Sequence, residues 1–181
     1  MPNETTKTNQ AQSPQRGRGP RHGGGRPERA KPEYDQTVLD VRRVARVVRG
    51  GRRFSFSIVL VAGNRRGKVG VGVGKGGDVS LAMEKALRSA KKHFLTVNLT
   101  PSNSIPHEVK AKFASSVVMM RPAPGRGVAA GSSARAILAL AGIRDTSAKF
   151  VRKSKNKLNN AQATMKALAS LAPARSAKAA K

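Results

Sequence analysis

The chain has 181 residues, carries 36 Lys and Arg against 9 Asp and Glu for a formal net charge of +27, and contains no cysteine. Residues 34–172 alone hold 26 basic and six acidic side chains, so the charge is not confined to the tails; a body this self-repulsive needs an anionic partner, and nucleic acid leads because each neutralised phosphate releases counterions. Disulfides and thiolate metal sites are excluded, His22, His93 and His107 are too scattered to suggest a metal cluster, and without a signal segment or an apolar run near the roughly 20 residues of a membrane span, a soluble cytoplasmic protein is expected.

Residues 1–33 hold half of the prolines, the run GRGPRHGGGRPERAKP and almost no apolar side chains. They read as a basic, disordered arm, and residues 173–181 as a shorter tail of the same kind. Residues 40–49 are ambiguous, since Val41, Val44 and Val48 also fit helical spacing, but valine enrichment and the following Gly50-Gly51 favour a strand. In FSFSIVLVA, Phe54, Phe56, Ile58 and Leu60 alternate onto one face expected to be buried, and Asn64-Arg65-Arg66-Gly67 supplies a turn. The stretch GKVGVGVGKGGDVS places Val69, Val71 and Val73 on one strand face and Gly70, Gly72 and Gly74 on the other. The glycines make a flat surface that admits a close neighbour, either a packed helix or a phosphodiester chain.

Gly72, Gly74 and Gly77 also fit the dinucleotide spacing G-x-G-x-x-G. The acidic residue that would hold a ribose about 20 positions on is missing, because no Asp or Glu lies between Glu84 and Glu108. A Walker loop would need glycine at Val69 and Ser or Thr at Gly76. Neither nucleotide reading stands.

Asp78 is placed to cap a helix in which Val79, Met83, Ala86, Ala90 and Phe94 recur on one face, while Lys85, Arg88 and Lys92 form another, with Lys91 beside it. That basic face either is solvated or meets phosphates. A second part begins near Thr96, with strands expected at 107–112 and 115–121 and a glycine-rich loop in PAPGRGVAAGSSA. A helix follows over 132–141, ending at Gly142, then a short strand at 148–151 and a last helix marked by Leu158, Ala161, Met165, Leu168 and Leu171. The order of elements divides the chain into domains at 34–95 and 96–172, an α+β arrangement.

Two stretches invite functional readings. VVRGGRRFSF sets Arg49, Arg52 and Arg53 around a glycine pair, a turn with no core role and therefore a candidate for RNA contact. Phe54 and Phe56 beside it are potential base-stacking groups, but their place on the alternating apolar face favours the core. The ending GVAAGSSA resembles the ATP loop of the sugar and mevalonate kinase superfamily, yet no Asp or Glu lies between Glu108 and Asp145 to serve magnesium or the attacking hydroxyl. Phosphate contact at the helix start through Ser132 and Ser133, or simply a tight turn, are the readings left.

The ordered motifs RGGRRFSF, VAGNRRGKVGVGVGKGGDV, Pro106-His107, Pro122-Ala123, GVAAG at 127–131, Arg135-Ala136, AGIRD at 141–145 and Ala163-Thr164 resemble bacterial small-subunit ribosomal protein five from about Val41 to Leu168. The resemblance implies an N-terminal β-β-β-α domain like a double-stranded-RNA-binding domain and a C-terminal α/β domain of the ribosomal protein five domain-two-like fold, shared with those kinases. It implies no enzymatic activity, cofactor, metal or small-molecule substrate, and a cytoplasmic, ribosome-associated chain. The implied partners are small-subunit rRNA, ribosomal proteins four and eight, and messenger RNA near its entry path, with an influence on decoding accuracy. Residues Val44 to Arg52 correspond to the hairpin near the family's spectinomycin site. Charge and resemblance together nominate Arg42, Arg43, Arg46, Arg49, Gly50, Gly51, Arg52, Arg53, Arg65, Arg66, Lys68, Lys75, Lys85, Arg88, Lys92, Arg126, Ser132, Ser133 and Arg135 for RNA binding. Asn64 stands where the family commonly has Asp, Ala111 where it has glycine, and the segment from Lys149 to Asn156 is one residue longer, leaving the conformation of 152–157 open. A free RNA chaperone or regulatory RNA-binding protein is the alternative function, distinguished by whether the chain travels with the small subunit.

Overall fold

The computed structural model describes residues 33–152 and 154–171; apart from Glu33, the arm and tail expected from the sequence lie outside them. Strands β1 (Asp35–Val48), β2 (Gly51–Gly63), β3 (Lys68–Gly76) and β4 (Leu95–Thr96) form an antiparallel sheet in the order β1-β2-β3-β4, with helix α1 (Val79–Lys92) between β3 and β4. The valine-rich segment is thus a strand, and it begins five residues before the expected start because 35–38 continue the pairing with β2, across a bulge at Leu39.

The glycine strand is explained by α1. Gly70, Gly72, Gly74 and Gly76 face the helix, and a Cβ on any of the first three would meet the backbone of Ala90, Ala86 or Ala82. Those three alanines are fully buried against Ile58, Leu60 and Ala62. Glycine on the strand and alanine at every fourth helix position let the two backbones approach, so the close neighbour is a helix rather than a phosphodiester chain. The buried stripe consequently runs through Ala82, Ala86 and Ala90, with Met83 and Phe94 only partly buried and the expected Val79 exposed. Asp78 occupies the N-cap position with extended backbone, but its side chain makes no capping hydrogen bond.

The other face of this sheet carries Val59, Val61, Val69 and Val71 into the second half of the molecule. There β5 (Val109–Phe113), β6 (Ser116–Pro122), β7 (Val128–Ala130) and β8 (Thr146–Arg152) form a sheet in the order β5-β6-β8-β7, with β7 and β8 parallel. Helices α2 (Ser132–Ala141) and α3 (Lys157–Ala169) complete it. The four valines share one continuous core with Val118, Met120, Ile137, Leu138, Ile143 and Leu168. At about 1.5–3 kcal/mol for each buried aliphatic side chain, this common core is a principal stabilising element. The β2–β3 turn is also seated on the end of α2, where the amides of Arg65 and Gly67 donate to the carbonyls of Leu140 (2.8 Å) and Ala141 (2.8 Å). Gly142 ends α2 with φ 83°, and a side chain there would run into the backbone of Arg65.

Ser154, within the segment expected to be one residue longer, is held by Asn160, which is 4% exposed. Its Oδ1 accepts from Ser116 Oγ (2.8 Å) and Ser154 N (3.2 Å), and its Nδ2 donates to the Ser154 carbonyl (2.8 Å). Asn156 then caps α3, its Oδ1 accepting from Leu158 N at 3.1 Å.

Candidate nucleic-acid interface

β3 stops at Gly76, which lies opposite Phe56, so the β1–β2 hairpin beyond that row has no third strand. Residues 44–55 form a projecting two-stranded finger, and about five residues at 3.3 Å each carry its tip roughly 17 Å past the sheet. An isolated two-stranded ribbon is marginal in water. The tip turns at Gly50 and Gly51, and Gly51 has φ 127°, where a side chain is strained.

Every basic residue nominated from the sequence is exposed, and the finger gathers the densest group. Register separates its two faces. Arg42 and Lys75 flank Ser57 in one row, and Arg46 stands directly opposite Arg53 further out, all on the face that looks toward α3. Arg43 and Arg52 lie on the opposite face, which continues over α1. Like charges placed directly across a strand pair are destabilising, so the Arg46–Arg53 row is a surface prepared for an anion. Arg42 is held differently, 2.7 Å from Asp40, with Asn156 Oδ1 at 3.3 Å and Lys157 sharing the Asp40 carboxylate at 3.5 Å.

Phe54 departs from expectation. It lies on the predicted face, but outside the span covered by α1 and β3, and is 47% exposed; Phe56, one pair inward, is partly buried. The Arg43 guanidinium carbon lies 3.6 Å from the centre of the Phe54 ring.

The remaining nominated residues are spread out. Arg65 and Arg66 occupy the β2–β3 turn and Lys68 opens β3 beside it, about 40 Å along β2 from the finger tip, and Arg65 pairs with Asp35 at 2.7 Å. Lys85, Arg88 and Lys92 line the outer side of α1. Beside them Tyr34 stacks on Phe94 with centroids 4.8 Å apart and Lys91 5.5 Å from its ring. The Tyr34 phenol is held above its ordinary pKa by its hydrogen bond to the Glu33 carboxylate and, secondarily, by desolvation and that negative charge.

At the start of α2, Ser132 and Arg135 are exposed and the Arg135 side chain donates to the Val128 carbonyl at 3.3 Å. Ser133 corrects the sequence reading: it is 2% exposed and its hydroxyl lacks a hydrogen-bond partner. The first turn of α2 rotates it inward beside buried Ala134 and Ile137, so only Ser132 of the pair presents its side chain at the surface. The kinase-like loop is kept by Asp145, whose carboxylate accepts from Gly127 N (3.2 Å) and whose carbonyl accepts from Ser104 Oγ (2.6 Å). Among the described residues no group of three or more His, Asp or Glu side chains is arranged to hold a metal ion, and no helix is long and apolar enough to cross a membrane.

Sequence reasoning passed over a second basic face. In the sheet of β5, β6 and β8, Lys110 and Lys149 flank Met119, and Lys112 and Arg152 flank Val117. The alternation in VKAKF signalled it, but without the pairing register the rows could not be assembled.

The two halves of this geometry have counterparts in known proteins. Residues 34–98 match the family described as Ribosomal protein S5, N-terminal domain, and residues 111–181 match Ribosomal protein S5, C-terminal domain. A protein named small ribosomal subunit protein uS5 from Thermosynechococcus vestitus is 49% identical over 140 residues, covering 77% of this chain and 80% of its own length. Its namesake from Acaryochloris marina is 50% identical over 139 residues, covering 76% and 78%. The Cyanophora paradoxa protein named uS5c is 49% identical over 142 residues, covering 78% and 83%. With the four-stranded glycine sheet and the α/β half both accounted for in order, the chain belongs to the ribosomal protein S5 family.

Proposed function

We propose that the chain is a structural constituent of the small ribosomal subunit that binds its rRNA mainly through phosphates, with the arginine finger as the principal contact. The observation that carries this is the unneutralised Arg46–Arg53 row on a ribbon whose residues 44–55 include four arginines beyond Arg43 and no carboxylate. An RNA backbone supplies the missing negative charge and fixes the register of the protein without reading sequence. The other nominated side chains from Arg65 to Arg135, apart from buried Ser133, add contacts on separate faces, which suits one protein wedged among several RNA segments. Neighbouring ribosomal proteins four and eight, and messenger RNA near the entry path, complete the partners, and the finger acts near the decoding region in support of accuracy. The role is non-catalytic: among the described residues the one carboxylate at the kinase-like loop, that of Asp145, is engaged in holding that loop.

Two measurements test this reading. In a lysate gradient at moderate salt the chain should sediment with the small subunit. Binding of the purified chain to small-subunit rRNA should fall by on the order of a thousandfold between 50 and 200 mM salt if six to ten phosphates are engaged. A flat salt dependence, or a chain that stays at the top of the gradient, refutes it.

A further inference from the structure

We propose that Phe54 and Arg43 form a stacking platform for one unpaired RNA base. The inference rests on the RNA-binding reading above and gives one point of the finger a ligand other than a phosphate.

Phe54 lies beyond the end of β3 and outside the α1 core, and close to half of its surface faces solvent. Arg43 lies diagonally across the β1–β2 pair, its guanidinium stacked on the ring at 3.6 Å. Exposed Val41 and Val47 share this face, at 50% and 75% exposure, with Arg52 opposite Val47. The patch therefore alternates apolar surface with guanidinium groups, and residues 41–55 contain no acidic side chain.

An apolar protein partner would have to desolvate several unpaired cations here, whereas a nucleotide brings a π-face and a phosphate together. Arginine planes and aromatic rings both receive unstacked bases in RNA recognition. A base laid on the outer face of the Arg43 guanidinium extends the Phe54–Arg43 stack, while the N–H edges remain free to donate to a phosphate. A paired A-form helix does not expose base faces, so the ligand is a nucleotide from a loop, bulge or single strand.

The test compares the full chain binding a short oligoadenylate with its binding to an abasic RNA of the same length, which carries the same phosphates without bases. Stacking contributes about 1–3 kcal/mol per base, so the wild-type protein should prefer oligoadenylate by roughly five- to a hundredfold. F54A and F54L should remove most of this preference while leaving the salt dependence unchanged, and R43K, which keeps the charge and loses the plane, should reduce it. Melting followed by circular dichroism checks that each variant folds, with F54L the milder replacement. Equal binding of both RNAs by the wild type, or full preference retained in F54A and F54L, overturns the platform and leaves phosphate binding intact. Failure of the wild type to bind either RNA at low salt overturns the RNA-binding reading itself.

Discussion

Replacing Gly72 by alanine adds one methyl group at the closest approach between β3 and α1. Its Cβ would lie 3.0 Å from Ala90 Cα and closer still to the Ala90 amide nitrogen and the Ala86 carbonyl oxygen, all backbone atoms that no rotamer change can move. Relief requires α1 to lift by roughly 1 Å, a gap that forfeits a quarter to a half of the dispersion attraction along a contact. That contact includes fully buried Ile58, Leu60, Ala82, Ala86 and Ala90. Overpacking of this kind costs about 1–3 kcal/mol, and the lost freedom of the unfolded chain returns about 0.4–1 kcal/mol. A net loss of about 1–2 kcal/mol is expected, which for a folded body of this size lowers the melting midpoint by about 2–8 °C. The chain has no tryptophan and one tyrosine, so far-ultraviolet circular dichroism in urea is the suitable readout. Gly77→Ala is the control, because nothing lies within 4 Å of its Cβ. If Gly72→Ala shifts the midpoint no more than Gly77→Ala, the account of the glycine strand is wrong.

Ser133→Ala should raise stability by about 1 kcal/mol, because it removes a buried hydroxyl without a partner; a lower urea midpoint would contradict this. Asn160→Ala should cost about 2–3 kcal/mol by orphaning Ser116 Oγ and the Ser154 amide, with faster hydrogen exchange confined first to 154–158. Gly51→Val, at φ 127°, should introduce about 1–3 kcal/mol of local strain, misplace Arg49, Arg52 and Arg53, and alter subunit incorporation, decoding accuracy or spectinomycin response with both sheets intact. Arg52→Ala combined with Arg53→Ala should weaken rRNA binding and flatten its salt dependence while folding stability stays within about 0.5 kcal/mol of wild type; unchanged binding would remove the finger from the interface.

Local signals carried much of this architecture. Gly50-Gly51 marked the hairpin, the valine and glycine alternation marked β3, and Gly142 marked the end of α2, since each depends on backbone conformation or period-two patterning that short windows contain. Longer-range relations were hidden. The exposure of Phe54 follows from where β3 stops, and alternation alone reports which face a residue joins, not how far the covering layer extends. Ser133 turned inward for a similar reason: a Gly-Ser-Ser start tells that a helix begins, but its rotation is set by the core beneath it. Strands β4 and β7, two and three residues long, were missed because they exist only through pairing with Lys68–Val69 and β8. The finger arginines were legible from composition, while the Arg46–Arg53 and Lys110–Met119–Lys149 rows required the register.

The seating of the β2–β3 turn on the end of α2 gives the molecule a lever. β2 runs from that fulcrum to the finger tip, about 40 Å at 3.3 Å per residue, so a tilt of about 5° at the Arg65–Leu140 contact moves the arginines by roughly 3.5 Å. Hydrogen bonds tolerate only a few tenths of an ångström around their preferred length. A change at Gly142, far from any nucleotide the finger touches, would therefore act on aim rather than on affinity, leaving each contact chemically intact but delivering it to the wrong place.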